Sequence, residues 1–289
     1  MPMKLLNEAE IGGKIYAGIV AELEELSQKT DKVPGLGMVV VGEDPASLAS
    51  IRCKEKQCRK LGFYVDIRFL PATASQEDIC ATVRQLNKDS RVQGLFCQLP
   101  LPETLQKKNI LAAVDPGKDV CGRHPINAGK LFSGNQGFLP CNVYSLMQVI
   151  DFAGQPIRGK TAVMISRRGV VSRPLALALL RRNASVTFCP VLTGNLPEIC
   201  RTADILVAET EKPGLIKGNW IKPGAMVIDI GTTRNNRGKA SGIVLKEVAE
   251  VASCIFTLPA GEDSPLAITM LIKNTLHAFK QTCGMQLQH

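Results

Sequence analysis

The sequence predicts a two-domain α/β protein built on parallel sheets, and three observations carry that expectation. Helical and strand patterns alternate along the chain, as they do where parallel strands are joined by crossover helices. Several strands, ADILVAE and AMVIDIG among them, are continuous apolar runs, the pattern of strands covered on both faces. Finally, 289 residues suffice for one large domain or two ordinary ones.

Taken in order, residues 8–29 carry helical periodicity, and PGLGMVVVGEDPAS runs from an apolar strand into turn residues. Residues 46–61 read as a helix broken by Gly62, and YVDIRFLP as the second strand. SQEDICATVRQLNKD is a helix opened by Ser75 as N-cap, and VQGLFCQLPLP is the third strand. A helix over 104–114 ends before DPGKD, and the Gly/Asn-rich NAGKLFSGNQGFLPC reads as a connection. Residues 142–153 are helical again, KTAVMIS is a buried strand, 171–182 a helix and ASVTFCP a strand. After ADILVAE and AMVIDIG comes a last helix over 265–280. The best domain boundary falls near 140–155, with the last helix free to return to the first domain.

Composition narrows the function. No apolar run reaches the roughly 18 residues of a membrane span, and MPMKLLNEAEIGGK lacks the layout of a secretory signal. A cytoplasmic protein is the default expectation, with the mitochondrial matrix as the other. Ten cysteines are scattered without C-x-x-C or zinc spacing and sit among apolar neighbours, which reads as reduced core thiols rather than a metal site. The net charge of +9 favours anionic company such as phosphates. Nucleic acid is disfavoured, because one Trp, three Tyr and nine Phe are not interleaved with basic residues.

Several segments in order then carry a specific resemblance: VGEDPAS with Lys54 in RCKEK, GLFCQLPLP, GKDVCGRHPINAGKL, the PC of residues 140–141, ADILV, IKPGAMVIDIG, and the helix from Pro265. The chain resembles the methylenetetrahydrofolate dehydrogenase/cyclohydrolase family of bifunctional folate enzymes over nearly its whole length. The resemblance implies a folate-binding catalytic domain over 1–145, completed by the 270–289 helix, and a Rossmann-type NAD(P) domain over 146–269. It implies a tetrahydrofolate substrate, NADP as the dinucleotide if there is one, and no metal. It further implies a homodimer, or a heterodimer with a paralogue. The family oxidises 5,10-methylenetetrahydrofolate by hydride transfer and hydrolyses the methenyl product to 10-formyltetrahydrofolate.

Residue by residue, the match is partial. The family's D-P-A-S-x-x-Y-V-x-x-K reads Asp44-Pro-Ala-Ser-Leu-Ala-Ser50-Ile-Arg-Cys-Lys54 here, so the lysine stays and the tyrosine is Ser50. Tyrosine and lysine lie four apart, on one helix face. Such a lysine shuttles a proton during attack on the methenyl carbon. Serine replaces part of the tyrosine's hydrogen bonding and none of its stacking on the pterin. Gln98 matches as a holder of lysine or folate. The second aspartate of K-D-V-D-G, which pairs with the pterin, is Cys121, at a cost of roughly 1.5–3 kcal/mol of binding. Pro265 matches the proline that follows the nicotinamide loop, while Pro259–Ser264 departs from the family pattern.

The dinucleotide turn G-R-S-x-x-V-G-x-P becomes Ser166-Arg167-Arg168-Gly169-Val170-Val171-Ser172-Arg173-Pro174, with both glycines replaced by serine. Glycine there gives positive φ and room for the pyrophosphate. Arg167 matches an arginine that meets an NADP 2′-phosphate, and Arg168 and Arg173 add charge. A-x-G-x-P becomes Glu209-Thr-Glu211-Lys-Pro213, whose carboxylates repel phosphates if they point inward, and G-D-V becomes Gly242-Ile-Val244. The expectation is a family member whose dehydrogenase is lost or weak, with residual cyclohydrolase chemistry through Lys54 and Gln98. The alternatives are a fully active NADP-dependent bifunctional enzyme, an inactive structural or regulatory paralogue, and an anion- or RNA-binding module using the three arginines.

Overall fold

Strand-forming runs and helical repeats alternate in the computed structural model as they do in the sequence. It describes residues 4–167, 169–210, 212, 214–230, 233–234, 240–241, 246–258 and 264–285. The chain opens with β1 (Lys4–Leu5), α1 (Glu8–Ser27) and β2 (Gly35–Val41). Next come α2 (Pro45–Lys60), β3 (Tyr64–Leu70), α3 (Gln76–Lys88) and β4 (Gly94–Cys97). Three helices follow: α4 (Lys107–Ala113), α5 (Pro125–Phe132) and α6 (Cys141–Ala153). Alternation resumes with β5 (Thr161–Ser166), α7 (Ser172–Arg181), β6 (Ser185–Cys189), α8 (Leu196–Cys200), β7 (Ile205–Glu209) and β8 (Met226–Asp229). The short pair β9 (Thr233–Arg234) and β10 (Ala240–Ser241) precedes β11 (Cys254–Thr257) and α9 (Pro265–Thr282).

The chain divides into two compact α/β units. The first comprises Gly12–Cys141 and Ala267–His289 and holds a parallel sheet in the order β3-β2-β4. Every residue of the central strand β2 is buried, as its unbroken apolar run requires. Val39, Ile79, Val83, Leu86, Leu95 and Ile110 form the core between this sheet and its helices. α3 starts where the sequence places it: the Ser75 hydroxyl accepts from the Asp78 N–H at 3.1 Å, and Asp78 reaches back to the Ser75 N–H at 3.3 Å. The last helix belongs here from Ala267 onward. Asn274 Nδ2 donates to the carbonyls of Val120 (2.8 Å) and Leu139 (3.2 Å), tying two loop segments to α9.

The second unit, Met1–Ile11 and Asn142–Leu266, holds a six-stranded sheet in the order β1-β11-β8-β7-β5-β6, parallel throughout. Its core includes Val163, Ile165, Leu206, Ala208, Val227 and Val248. No helix among the described residues is long and apolar enough to cross a membrane.

Besides the short β1, α8, β9 and β10, which the sequence pattern does not announce, three elements differ from the sequence expectation. α4 begins at Lys107 rather than 104, because the Gln106 N–H is held by Gln76 Oε1 at 3.0 Å. α5 forms inside the segment that reads as a connection. His124 Nδ1 caps the Ile126 N–H at 3.0 Å, and Pro125 presets the first turn, which offsets the poor helix-forming Asn and Gly. β11 is only four residues long, too short for a period to show, and is fixed by pairing with β8 on one side and β1 on the other.

Close backbone approach constrains the first sheet at Gly35, where an added Cβ would stand 1.7 Å from the Arg91 carbonyl oxygen. Gly35→Ala is therefore expected to destabilise the protein by on the order of 3 kcal/mol. A urea melt of variant and parent measures this, and an unchanged midpoint contradicts the packing.

Candidate active site

At the carboxyl end of β4 three side chains converge within the first unit. α2 starts cleanly because the Asp44 carboxylate accepts the Ser47 N–H at 2.8 Å and Pro45 occupies the first turn. The spacing of four then turns Ser50 and Lys54 to one face. Lys54 Nζ donates to Ser50 Oγ, and also to Gln98 Oε1 at 3.2 Å. Ser50 Oγ donates to the same Gln98 oxygen at 3.4 Å. Gln98 is itself oriented, its Nε2 donating to the Leu99 carbonyl at 2.8 Å beside the cis Leu99–Pro100 bond.

Lys54 is only 4% exposed. An amino group buried to that degree needs hydrogen-bond partners, which Ser50 and Gln98 supply. The Phe96 ring adds a further favourable contact, its centroid 5.6 Å from Nζ. Phe96 is absent from the sequence reading. The signal was available, since residues 96 and 98 share a face under the period of two.

Cys121 does not stand open to a ligand in the same way. It is buried, and the hydrogen bond with Cys141 followed by burial raises its thiol well above the ordinary range, keeping it protonated. Cys141 Sγ meanwhile donates to the Val120 carbonyl at 3.4 Å. Gly122 has φ +65° and packs so closely that a Cβ would lie 2.4 Å from the Leu139 carbonyl carbon. The neighbouring carboxylate, Asp119, has a structural task, accepting from the His124 N–H at 2.7 Å and Asn127 Nδ2 at 2.9 Å. All ten cysteines are free thiols and eight are buried; burial pushes Cys58, Cys97 and Cys200 up to about 12. Among the described residues no group of three or more His, Cys, Asp or Glu is placed to hold a metal ion.

The second cluster lies in the other unit, at the carboxyl ends of β5 and β7. Chain order reverses there: β5 is followed by β6 on one side and has β7 on the other, which makes the β5/β7 crevice the switch point where such sheets bind nucleotides. Ser166 ends β5, Glu209 ends β7, and the two are register partners. Glu209 points inward. Its Oε2 accepts from Ser166 Oγ (2.9 Å), Ser172 Oγ (2.6 Å) and the Ser172 N–H (3.0 Å), and its Oε1 from the Val171 N–H (3.1 Å). Ser166 Oγ in turn accepts from the Gly169 N–H at 2.7 Å. Gly169 takes φ +69°, so a positive-φ turn exists three positions beyond Ser166. The leading amides of this turn hold the Glu209 carboxylate.

Arg167 and Arg173 are exposed, and Pro265 opens α9, whose Leu266 N–H is held by Glu8 Oε1 at 3.0 Å. Arg168, Glu211, Pro213, Gly242–Val244 and 259–263 lie outside the described residues.

Residues 6–120 match the family described as tetrahydrofolate dehydrogenase/cyclohydrolase, catalytic domain, and residues 140–283 match its NAD(P)-binding domain. Bifunctional protein FolD of Acetivibrio thermocellus is 41% identical over 287 residues, covering 99% of this chain and 100% of that protein. Its Enterococcus faecalis counterpart is 39% identical over 278 residues, 96% of this chain and 98% of that protein. Among solved structures, the bifunctional FolD methylenetetrahydrofolate dehydrogenase/cyclohydrolase of Campylobacter jejuni has a TM-score of 0.88 at 33% identity, over 97% of this chain and 99% of that one. The Trypanosoma brucei enzyme, complexed with NADP cofactor and inhibitor, has a TM-score of 0.85 at 31% identity over 98% and 99%.

Burial raises the Asp119 carboxyl above its ordinary value of 3.8, against the opposing His124 and Asn127 hydrogen bonds. The unfolded chain then releases this proton first, so stability falls as pH rises from 3.8 through the raised value and levels off above it. Asp119→Asn lacks that slope. The difference in urea midpoint between parent and variant, followed from acid to neutral pH, is expected to shift toward the variant; a flat difference contradicts the burial effect.

Proposed function

This chain belongs to the tetrahydrofolate dehydrogenase/cyclohydrolase family, and from that premise we propose that it is a methenyltetrahydrofolate cyclohydrolase whose dehydrogenase half is weak or lost. The observation that carries the reading is the closed hydrogen-bond set of Lys54, Ser50 and Gln98, buried at the carboxyl end of β4. The filled β5/β7 turn supports the second half of it.

The substrate is a cation whose methenyl carbon bridges two folate nitrogens. A water oxygen bonds to that carbon, the bond to N5 breaks, and N10 retains the formyl group. One water proton ends on N5 and the other leaves to solvent. Lys54 enters the step as the neutral amine: Nζ takes a proton from the attacking water and hands it on to N5. Ser50 and Gln98 fix Nζ at the reacting face, since a flexible four-carbon stem alone would not hold it there. Serine leaves the pterin without the stacking surface of a tyrosine, and the neutral Cys121 leaves it without a carboxylate partner. Weak folate binding follows, with less effect on proton transfer.

The folate is a small-molecule ligand bound in the cytoplasm by a homodimer, or by a pairing with an active paralogue. The edge strand β6 supports a partner copy, since Phe188 and Leu192 on and beside it are 36% and 92% exposed.

Decay of methenyltetrahydrofolate absorbance above its spontaneous rate tests the reading. Lys54→Met keeps the bulk and removes the proton relay, and is expected to lower that excess rate about 100-fold or more. Gln98→Leu removes one hydrogen bond to Nζ and is expected to lower it about tenfold. A parent chain that hydrolyses no faster than solvent, or one that turns over methylenetetrahydrofolate with NADP efficiently, refutes the assignment.

A further inference from the structure

We propose that Glu209 is a built-in anion that takes the place of a dinucleotide pyrophosphate at the N-terminus of α7, so that the second unit completes its nucleotide turn from its own chain and turns NAD(P) away. The proposal deepens the cyclohydrolase reading above and rests on it for the expectation that no hydride transfer is needed.

The first amides of an α-helix have no partners within the helix, and the helix dipole makes that end attractive to anions. At the switch point of a parallel sheet, the same end is where a cofactor's pyrophosphate sits. In this chain the leading amides of α7, those of Val171 and Ser172, are both taken by the two oxygens of the Glu209 carboxylate. Val171, at the N-cap position, makes no side-chain cap of its own, so the capping group comes from across the sheet rather than from the turn.

The serines complete the arrangement. Ser166 and Ser172 are 2% and 0% exposed, and both hydroxyls donate to the same carboxylate oxygen. Oε2 thus receives three hydrogen bonds and Oε1 one, a coordination that resembles a phosphate oxygen's more than that of an exposed acid. A bound pyrophosphate would have to displace this carboxylate, pass two side chains at the points of closest approach, and sit beside a like charge. The exposed Arg167 and Arg173 leave the surface of the turn basic, so exclusion comes from the occupied amides and not from a hostile field. A carboxylate that only capped the helix would predict a different outcome: its removal would free amides for a small anion, but NADPH binding would not rise.

Thermal melts and NADPH fluorescence titrations of the full chain distinguish the two. The unmodified protein is expected to show no change in Tm with inorganic pyrophosphate or NADP at on the order of 1 mM, and no saturable NADPH signal. Glu209→Ala is expected to melt lower, and to regain part of that loss when pyrophosphate is added. Ser166→Gly/Ser172→Gly/Glu209→Ala is expected to bind NADPH at least about tenfold more tightly than the parent. Should that triple variant fail to fold, Glu209→Gln is read in its place, since it keeps the size and one acceptor while removing the charge; a smaller gain in NADPH binding is expected. Micromolar NADPH binding by the unmodified chain overturns the proposal, as does a folded triple variant, or Glu209→Gln in its place, whose NADPH binding does not rise. None of these readouts uses folate. Methenyl hydrolysis by the unmodified chain is assayed separately, so its failure would sink the Lys54 reading while leaving the Glu209 result standing.

Discussion

Parallel strands cannot be closed by a tight turn, and every other feature of this protein follows from that constraint. Each strand must return through a crossover, so all strand carboxyl ends of a sheet finish on one edge and all crossover helices begin there. Those helix beginnings bring unpartnered amides to the edge. The protein answers four of them with a specific side-chain acceptor. Asp44 serves α2 and Ser75 serves α3, each from within its own turn. Glu8 serves α9 and Glu209 serves α7, both from distant sequence. A cap of this kind is worth about 1 kcal/mol, and it also decides which chemistry the edge can present. Where the cap is local, the edge stays available, as at Gln98 and Lys54. Where the cap is a carboxylate reaching across the sheet, the edge is consumed.

The two clusters therefore sit at equivalent places in their sheets and behave in opposite ways. Lys54 Nζ is a donor held by neutral oxygens, with Phe96 against it. Glu209 is an anion surrounded by four donors, and its demand is met within the unit. The first leaves a basic side chain at the edge of its sheet; the second fills the amides at the edge of the other. The two clusters lie in separate compact units with separate cores.

Most strands were legible because a continuous apolar run has few other readings in a chain of alternating elements. Ser75 was legible as a cap because capping chemistry is local. The exceptions share a cause: β11 is specified by its neighbours β8 and β1, and α5 by a histidine cap that composition does not reveal. The candidate site divides along the same line. Lys54 and Ser50 lie four residues apart on one helix, so their meeting could be read from spacing, and the motif supplied Gln98. Ser166 and Glu209 are 43 residues apart, and only the β5/β7 register brings them together. Their sequence signature was a loss of glycines and a gain of acids. The direction in which the carboxylate points is a tertiary fact.

That direction changes what the substitutions mean. Two buried serine hydroxyls without an acceptor would each cost on the order of 1–3 kcal/mol, and a carboxylate driven against α7 without donors would cost more. Any one of Ser166, Ser172 and Glu209 is thus unfavourable alone and satisfied only with the others in place. Changes that drift into a disused site carry no such requirement, since each must be tolerated singly. Residues that contact one another and share hydrogen bonds are expected to be non-additive, and these three share one oxygen. Cys121 follows the other pattern: it is buried and hydrogen-bonded with Cys141, which together keep its thiol protonated. The pterin-side change is a subtraction. On the proposal made for Glu209, the change at the dinucleotide turn is instead a replacement, in which a carboxylate of the chain takes the amides of α7.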